Sequence, residues 1–232
     1  MATIFWAGDS TVQYNDITTY PQTGIGQVIH LYLKPEVKIS NHAKNGRSTK
    51  SFIDESRMVP IYDQITEGDF LFIQFGHNDE KINDPTRYTA PNGEYMVNLG
   101  KFVNVARNKK AHPVLITPLE RRHFVEEHKL SAGEHLEYVN AMKKVAEELE
   151  VPLIDLYTMS REAMEEAGME KTLDWYMHLK EGEYVNYPEG KTDNTHLKYA
   201  GAVTYAGCIA KGLKELGGIY KELVLYETTL ES

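Results

Sequence analysis

The sequence predicts an α/β fold: a three-layer α/β/α sandwich around a central parallel sheet of about five strands. Short apolar, β-branched runs recur along the chain with longer amphipathic stretches between them. Strands that alternate with helices join as parallel neighbours through right-handed crossovers, which place helices on both faces of the sheet. Most of the runs are also apolar almost throughout, as strands buried on both faces are. No internal repeat, low-complexity tract or Pro/Ser-rich linker interrupts the 232 residues. The whole chain, 1–232, is therefore expected to form one domain with a sizeable core.

The expected strands are ATIFWAG (2–8), EVKISNHA (36–43), DFLFIQFG (69–76), HPVLITP (112–118) and VPLIDLY (151–157). A helical pattern starts near Gly24, and a second covers residues 51–65 with Pro60 as a kink or boundary. Further helices are expected over residues 93–110, 131–150 and 197–216, the last closed by Gly217 and Gly218.

Composition narrows the function. Apolar residues make up 41% and charged residues 25%, the balance of an ordinary soluble globular protein. The net charge of −9 repels phosphate backbones, which argues against nucleic acid as a partner. An acidic sugar would need a local basic pocket or would have to bind through its neutral parts. No apolar run approaches the ~20 residues of a membrane span. The start, MATIFWAGDS, lacks a basic segment ahead of an apolar run. Cys208 is the single cysteine, so no intrachain disulfide can form. These features lead us to expect a cytoplasmic protein. Cys208 lies in an apolar helical stretch and reads as a small core residue, not a nucleophile.

In open parallel sheets, ligands bind outside the carboxyl ends of the strands. Four polar clusters fall at such positions: Gly8-Asp9-Ser10-Thr11, Asn41 to Ser48, Gly76-His77-Asn78-Asp79, and Asp193-Asn194-Thr195-His196 before the last helix. A serine hydroxyl needs a base to become a nucleophile. Histidine supplies one near neutral pH, and a carboxylate on its other nitrogen fixes the tautomer. Ser10, His196 and Asp193, three residues before the histidine on a short loop, are the candidates. The N–H groups of Ser10 and Gly46 and the amide of Asn78 are candidate donors to an oxyanion. A lone Gly-Asp-Ser is more often a turn, and a lone histidine a helix-start residue; four clusters in order weigh against that. Asp9 reads as support for the turn and His77 as scaffold.

These blocks resemble those of the SGNH (GDSL-type) hydrolases over residues 3 to about 215. The wording Gly-Asp-Ser-Thr, Asn-Gly-Arg-Ser-Thr-Lys-Ser-Phe, Phe-Gly-His-Asn-Asp and Asp-Asn-Thr-His-Leu is similar to the rhamnogalacturonan acetylesterase branch. The resemblance implies a flavodoxin-like sandwich and a serine esterase that deacetylates pectin-type oligosaccharides without cofactor or metal. It matches Ser10 to the nucleophile, His196 to the base, and Gly46 and Asn78 to the oxyanion donors. The same chemistry on acetylxylan, a lysophospholipid or a thioester is the alternative, followed by a non-catalytic carbohydrate-binding domain.

Arg47, Arg121 and Arg122 each follow an expected strand, and at least one is expected to bind a uronate carboxylate. Tyr14, Trp175, Tyr176 and Tyr184 are expected to stack on sugar rings, with residues 173–188 as the substrate-facing wall. The histidines at 123 and 128 miss zinc-motif spacing. Gly24-Ile25-Gly26 lacks the third glycine of a dinucleotide site. No G-x-S-x-G elbow is present.

Overall fold

The computed structural model describes residues 2–225 of the chain. Its central sheet contains β1 (Thr3–Gly8), β2 (Lys38–Asn41), β3 (Phe70–Gln74) and β4 (His112–Ile116). A small hairpin, β5 (Phe124–Glu126) and β6 (Lys129–Leu130), precedes the fifth strand, β7 (Leu153–Ile154). The order is β2-β1-β3-β4-β7, and every pairing is parallel. The strand order therefore reverses between β1 and β3, and a crevice at the carboxyl ends opens there.

The helices are α1 (Ile25–Val28), α2 (Thr49–Asp54), α3 (Val59–Gln64), α4 (Met96–Asn108), α5 (Leu136–Glu148), α6 (Leu156–Ala167), α7 (Met169–Thr172), α8 (Tyr199–Leu216) and α9 (Gly218–Lys221). Alternate strand residues point to opposite faces. Ile4, Trp6, Phe70, Phe72, Val114 and Ile116 join α1, α6 and α8 in one core. Phe5, Ala7, Leu71, Ile73 and Leu115 join α2, α3, α4 and α5 in the other. Both faces are thus dry over β1, β3 and β4, which is why those strands read as continuous apolar runs, whereas the edge strand β2 is only partly buried. The buried stripe of α8, Ala202, Tyr205, Ala206, Ile209 and Leu213, repeats at helical spacing. This helix ends at Gly217, whose φ of 70° suits glycine.

Several expected elements differ in extent. Residues 51–65 form two helices, because Ser56 turns the chain at φ 56°. The pattern from Gly24 gives only the four residues of α1, followed by a 3-10 turn, Ile29–Tyr32. Residues 151–157 hold a two-residue strand and the start of α6. There, Asp155 accepts hydrogen bonds from the Thr158 N–H and hydroxyl and so caps a helix that sequence reading missed. Residues 173–188 contain a strand, β8 (Tyr176–Leu179), which pairs antiparallel with β9 (Lys191–Leu197). Asp193 and His196 therefore lie on a strand. At the C-terminus, Leu223 and Val224 pack into the α8-side core, while residues 226–232 lie outside the described residues.

Candidate active site

The turn after β1 is built around a buried carboxylate. Asp9 Oδ1 accepts from the Thr11 N–H at 2.9 Å and the Thr11 hydroxyl at 2.8 Å. Its backbone carbonyl accepts from the N–H groups of Val12 and Gln13. Burial raises the Asp9 carboxyl, against the lowering effect of the two Thr11 bonds. This anchoring presents Ser10 at the edge of the crevice.

The opposite wall comes from the β8–β9 ribbon. Tyr176 pairs with Leu197 while its neighbour Met177 pairs with Asp193, so residues 194–196 bulge out of the ladder. The bulge is held by His178 Nε2 on Asn194 Oδ1 at 2.7 Å and by the Arg122 N–H on the Asn194 carbonyl at 2.9 Å. Asp193 Oδ1 accepts from the N–H groups of Thr195 and His196. Its Oδ2 accepts from His196 Nδ1 at 2.7 Å and sits 2.9 Å from Lys191 Nζ. Burial alone would raise this carboxyl. The hydrogen bond and charge of His196, its backbone N–H and Lys191 outweigh that and hold it well below the usual carboxylate range. Because a carboxylate only accepts, Nδ1 carries a proton, and in the neutral ring Nε2 is left as the acceptor. His196 Nε2 lies 3.0 Å from Ser10 Oγ. A hydroxyl, an imidazole and a carboxylate thus form one hydrogen-bonded chain from two points of the fold, the turn after β1 and the β8–β9 ribbon.

The other two clusters face this chain from the carboxyl ends of β2 and β3. Gly46 adopts φ 75°, where a side chain would be strained. Its loop is tied down by Lys44 N–H on the Gly8 carbonyl and by Asn45 N–H on Gln13 Oε1. Among the described residues, the N–H groups of Ser10 and Gly46 have no acceptor in the protein. Asn78 donates from Nδ2 to the Arg47 carbonyl at 3.1 Å, and its Oδ1 accepts from Arg87 Nη1 at 3.2 Å. Beneath them, buried Asp79 accepts from the N–H and hydroxyl of Thr49 and the hydroxyl of Thr89. It joins the Gly46 and Asn78 loops, and burial pushes its carboxyl up to about 7.

A cavity of about 450 Å³ opens over Ser10, lined also by Gly46, His77, Asn78, Lys81, Arg87, Arg121, Thr195 and His196. None of these residues is acidic. A neighbouring cavity of about 650 Å³, lined by Arg47, Lys50 and Thr86 among others, shares Gly46 and Arg87 with it.

The expected substrate contacts divide. Arg121 lines the Ser10 cavity, but its guanidinium is held by Glu80 at 2.6 Å and Glu134 at 2.8 Å. Arg47 lines the neighbouring cavity and pairs with Glu55. Arg122 is corrected: its side chain is buried on the Thr172 hydroxyl and the Met169 carbonyl, clamping α7. Trp175 and Tyr176 are corrected as well. Both are buried against Tyr205 of α8, and Tyr176 shares a hydroxyl–hydroxyl bond with it. Aromatic residues next to a core helix bury their rings when the strand turns them inward. Tyr184 packs its ring on Tyr20, and neither Tyr184 nor the exposed Tyr14 lines either cavity. The wall expected from residues 173–188 is supplied instead by Thr195 and His196, together with Lys81 and Arg87. Sequence reading missed Lys81 and Arg87; their signal was two cations within the thirteen residues that follow the third strand.

His77 is scaffold-like in its burial, its ring 4.4 Å from that of His135. The zinc-like segment is the β5–β6 hairpin, where His123 meets Glu134 and His128 meets the Glu165 carbonyl. Gly24 and Gly26 serve close packing: a Cβ on Gly26 would lie 2.6 Å from the Val12 carbonyl. Cys208 is half-buried against the α8-side core, and burial pushes its thiol up. Among the described residues, no helix is long and apolar enough to cross a membrane.

Comparison with known proteins places this geometry among relatives. The model of the GDSL-like Lipase/Acylhydrolase family matches residues 7–201. The rhamnogalacturonan acetylesterase RhgT of Bacillus subtilis is 42% identical over 216 residues, 92% of this chain and 90% of that protein. The probable rhamnogalacturonan acetylesterase YesY of the same species is 40% identical, over 97% of this chain and 98% of that protein. The crystal structure of B. subtilis YxiM superposes with a TM-score of 0.78 at 27% identity, covering 93% of this chain and 57% of that chain. A variant of Axe2, an acetylxylan esterase from Geobacillus stearothermophilus, shares the fold at 13% identity and a TM-score of 0.61.

Proposed function

Because this chain belongs to the GDSL-like lipase/acylhydrolase family, we propose that it is a serine esterase that removes O-acetyl groups from pectin-derived, rhamnogalacturonan-type oligosaccharides. The observation that carries this reading is the Ser10–His196–Asp193 hydrogen-bonded chain at the mouth of a polar cavity. His196 takes the Ser10 proton as the oxygen attacks the acetyl carbonyl. Asp193 stabilises the imidazolium that forms. The Ser10 and Gly46 N–H groups and the Asn78 amide receive the oxyanion. His196 then protonates the departing sugar hydroxyl, and water, activated the same way, releases acetate.

The cavity lining supports a small acyl group. It contains no aliphatic side chain larger than the threonine methyl, so a long acyl chain finds no apolar groove there. Lys81, in a lining without a carboxylate, suits an acidic sugar in a chain whose net charge is −9; Arg121 and Arg87 line the same cavity but are held by Glu80 and Glu134 and by Asp84. The 40–42% identity to RhgT and YesY supports the pectin-type backbone.

The test is acetate release by wild type and Ser10→Ala from acetylated pectin-type oligosaccharides, acetylated xylo-oligosaccharides and aryl acetates. Release is expected from the pectin-type set, falling by about 10⁴–10⁶-fold in Ser10→Ala. Undiminished release by Ser10→Ala would overturn the nucleophile. Release only from xylo-oligosaccharides or aryl acetates would overturn the substrate.

A further inference from the structure

We propose that Arg87 is a positioning residue of the oxyanion hole, acting through Asn78. The proposal rests on the reading of Asn78 as an oxyanion donor. An asparagine amide can sit in either of two orientations, and only one presents an N–H to the cavity. Two neighbours select it here. The Arg47 carbonyl, which only accepts, faces Nδ2 at 3.1 Å, and Arg87 Nη1, which only donates, faces Oδ1 at 3.2 Å. With one Nδ2 hydrogen on the Arg47 carbonyl, the other remains for the oxyanion.

Arg87 is itself fixed. Its Nε donates to Asp84 Oδ2 at 2.6 Å, and Asp84 Oδ1 is occupied by the N–H and hydroxyl of Thr86. The Thr86 hydroxyl and the Arg87 guanidinium hold the half-buried Asp84 carboxyl below its usual value, so Asp84 stays a charged acceptor at neutral pH. The loop that carries both residues is closed at its base by Thr89 N–H on the Asp79 carbonyl and by Tyr138 hydroxyl on the Thr89 carbonyl. Arg87 Nη1 also lies 3.8 Å from where a Gly46 Cβ would stand, so the guanidinium sits beside the Gly46 loop as well as on Asn78. The planar fork of arginine satisfies Asp84 and Asn78 at once. A lysine ammonium keeps the charge without that geometry.

The experiment is steady-state hydrolysis of p-nitrophenyl acetate by Arg87→Ala, Arg87→Lys, Asp84→Asn, Asn78→Ala and the Arg87→Ala/Asn78→Ala double variant. Circular dichroism checks that each is folded. Asn78→Ala is expected to lose on the order of 10²–10³-fold in kcat. Arg87→Ala and Arg87→Lys are each expected to lose about tenfold in kcat with KM unchanged. Asp84→Asn, whose change lies on the exposed loop outside the Ser10 cavity, is expected to lose a smaller factor in the same direction. In the Asn78→Ala background, Arg87→Ala should change kcat by less than about twofold, because its route is already gone. A tenfold loss that persists in that background overturns the proposal and leaves the oxyanion reading standing. Wild-type kcat in Arg87→Lys also overturns it, since charge alone would then suffice. Wild-type kcat in Asn78→Ala overturns the oxyanion reading and the proposal together.

Discussion

Asp79 shows how one residue is held in an unfavourable state to organise others. It is fully buried, yet it accepts hydrogen bonds from Thr49 and Thr89 and so locks the Gly46 and Asn78 loops together. Burial raises its carboxyl from 3.8 to about 7. A group whose pKa is higher folded than unfolded binds more protons in the folded state. Its contribution to stability is therefore fully present below pH 3.8 and is lost as pH rises to about 7. Asp79→Asn removes that slope. The Tm of wild type minus that of Asp79→Asn is expected to fall by on the order of 5 °C between pH 4 and pH 7, measured by thermal denaturation. A flat difference would exclude the linkage. At this scale the sequence was legible where chemistry demands a residue type: Ser10, Asp193 and His196 stand in one hydrogen-bonded chain. It was illegible where a side chain's role depends on direction. Trp175, Tyr176 and Arg122 are as able to bind sugar as to pack, and only their inward orientation decides.

At the scale of elements, close packing positions the nucleophile turn. The N-terminus of α1 rests on the chain that follows Ser10, with Ile25 N–H on the Thr11 carbonyl and Gly26 N–H on the Val12 carbonyl. A Cβ on Gly26 would stand 2.3 Å from Asn41 Nδ2 and 2.6 Å from the Val12 carbonyl. In a helix without that contact, glycine to alanine stabilises by about 0.5–1 kcal/mol. Here Gly26→Ala is expected to destabilise by about 1–3 kcal/mol and to lower kcat, because the displaced backbone leads back to Ser10. Urea unfolding decides by sign: a stabilised variant would rule out the steric account. Elements with long periodic stripes, such as α4, α5 and α8, were legible because many positions agree on one face. The helix α6 was not, since the apolar run 151–157 continues smoothly from strand into helix and only the cap at Asp155 marks the change. Nor was the bulge at residues 194–196, which depends on the partner strand β8.

At the scale of the whole molecule, the strand order places the turn after β1 beside the loop after β3, and the β8–β9 ribbon brings His196 across to meet them. We propose that sheet and ribbon unfold as one domain, because Trp6 of β1 and Trp175 beside β8 belong to the same buried cluster. Near-UV and far-UV circular dichroism should therefore report coincident thermal transitions; separate midpoints would divide the chain. The sequence by itself determined the layered α/β architecture and the order of the four polar clusters, because burial period and strand-end chemistry are local properties. The tertiary structure alone decided which cations line the cavity, which aromatic rings are core, and which neighbours orient Asn78. Those outcomes depend on contacts between residues tens of positions apart, and no local pattern encodes them.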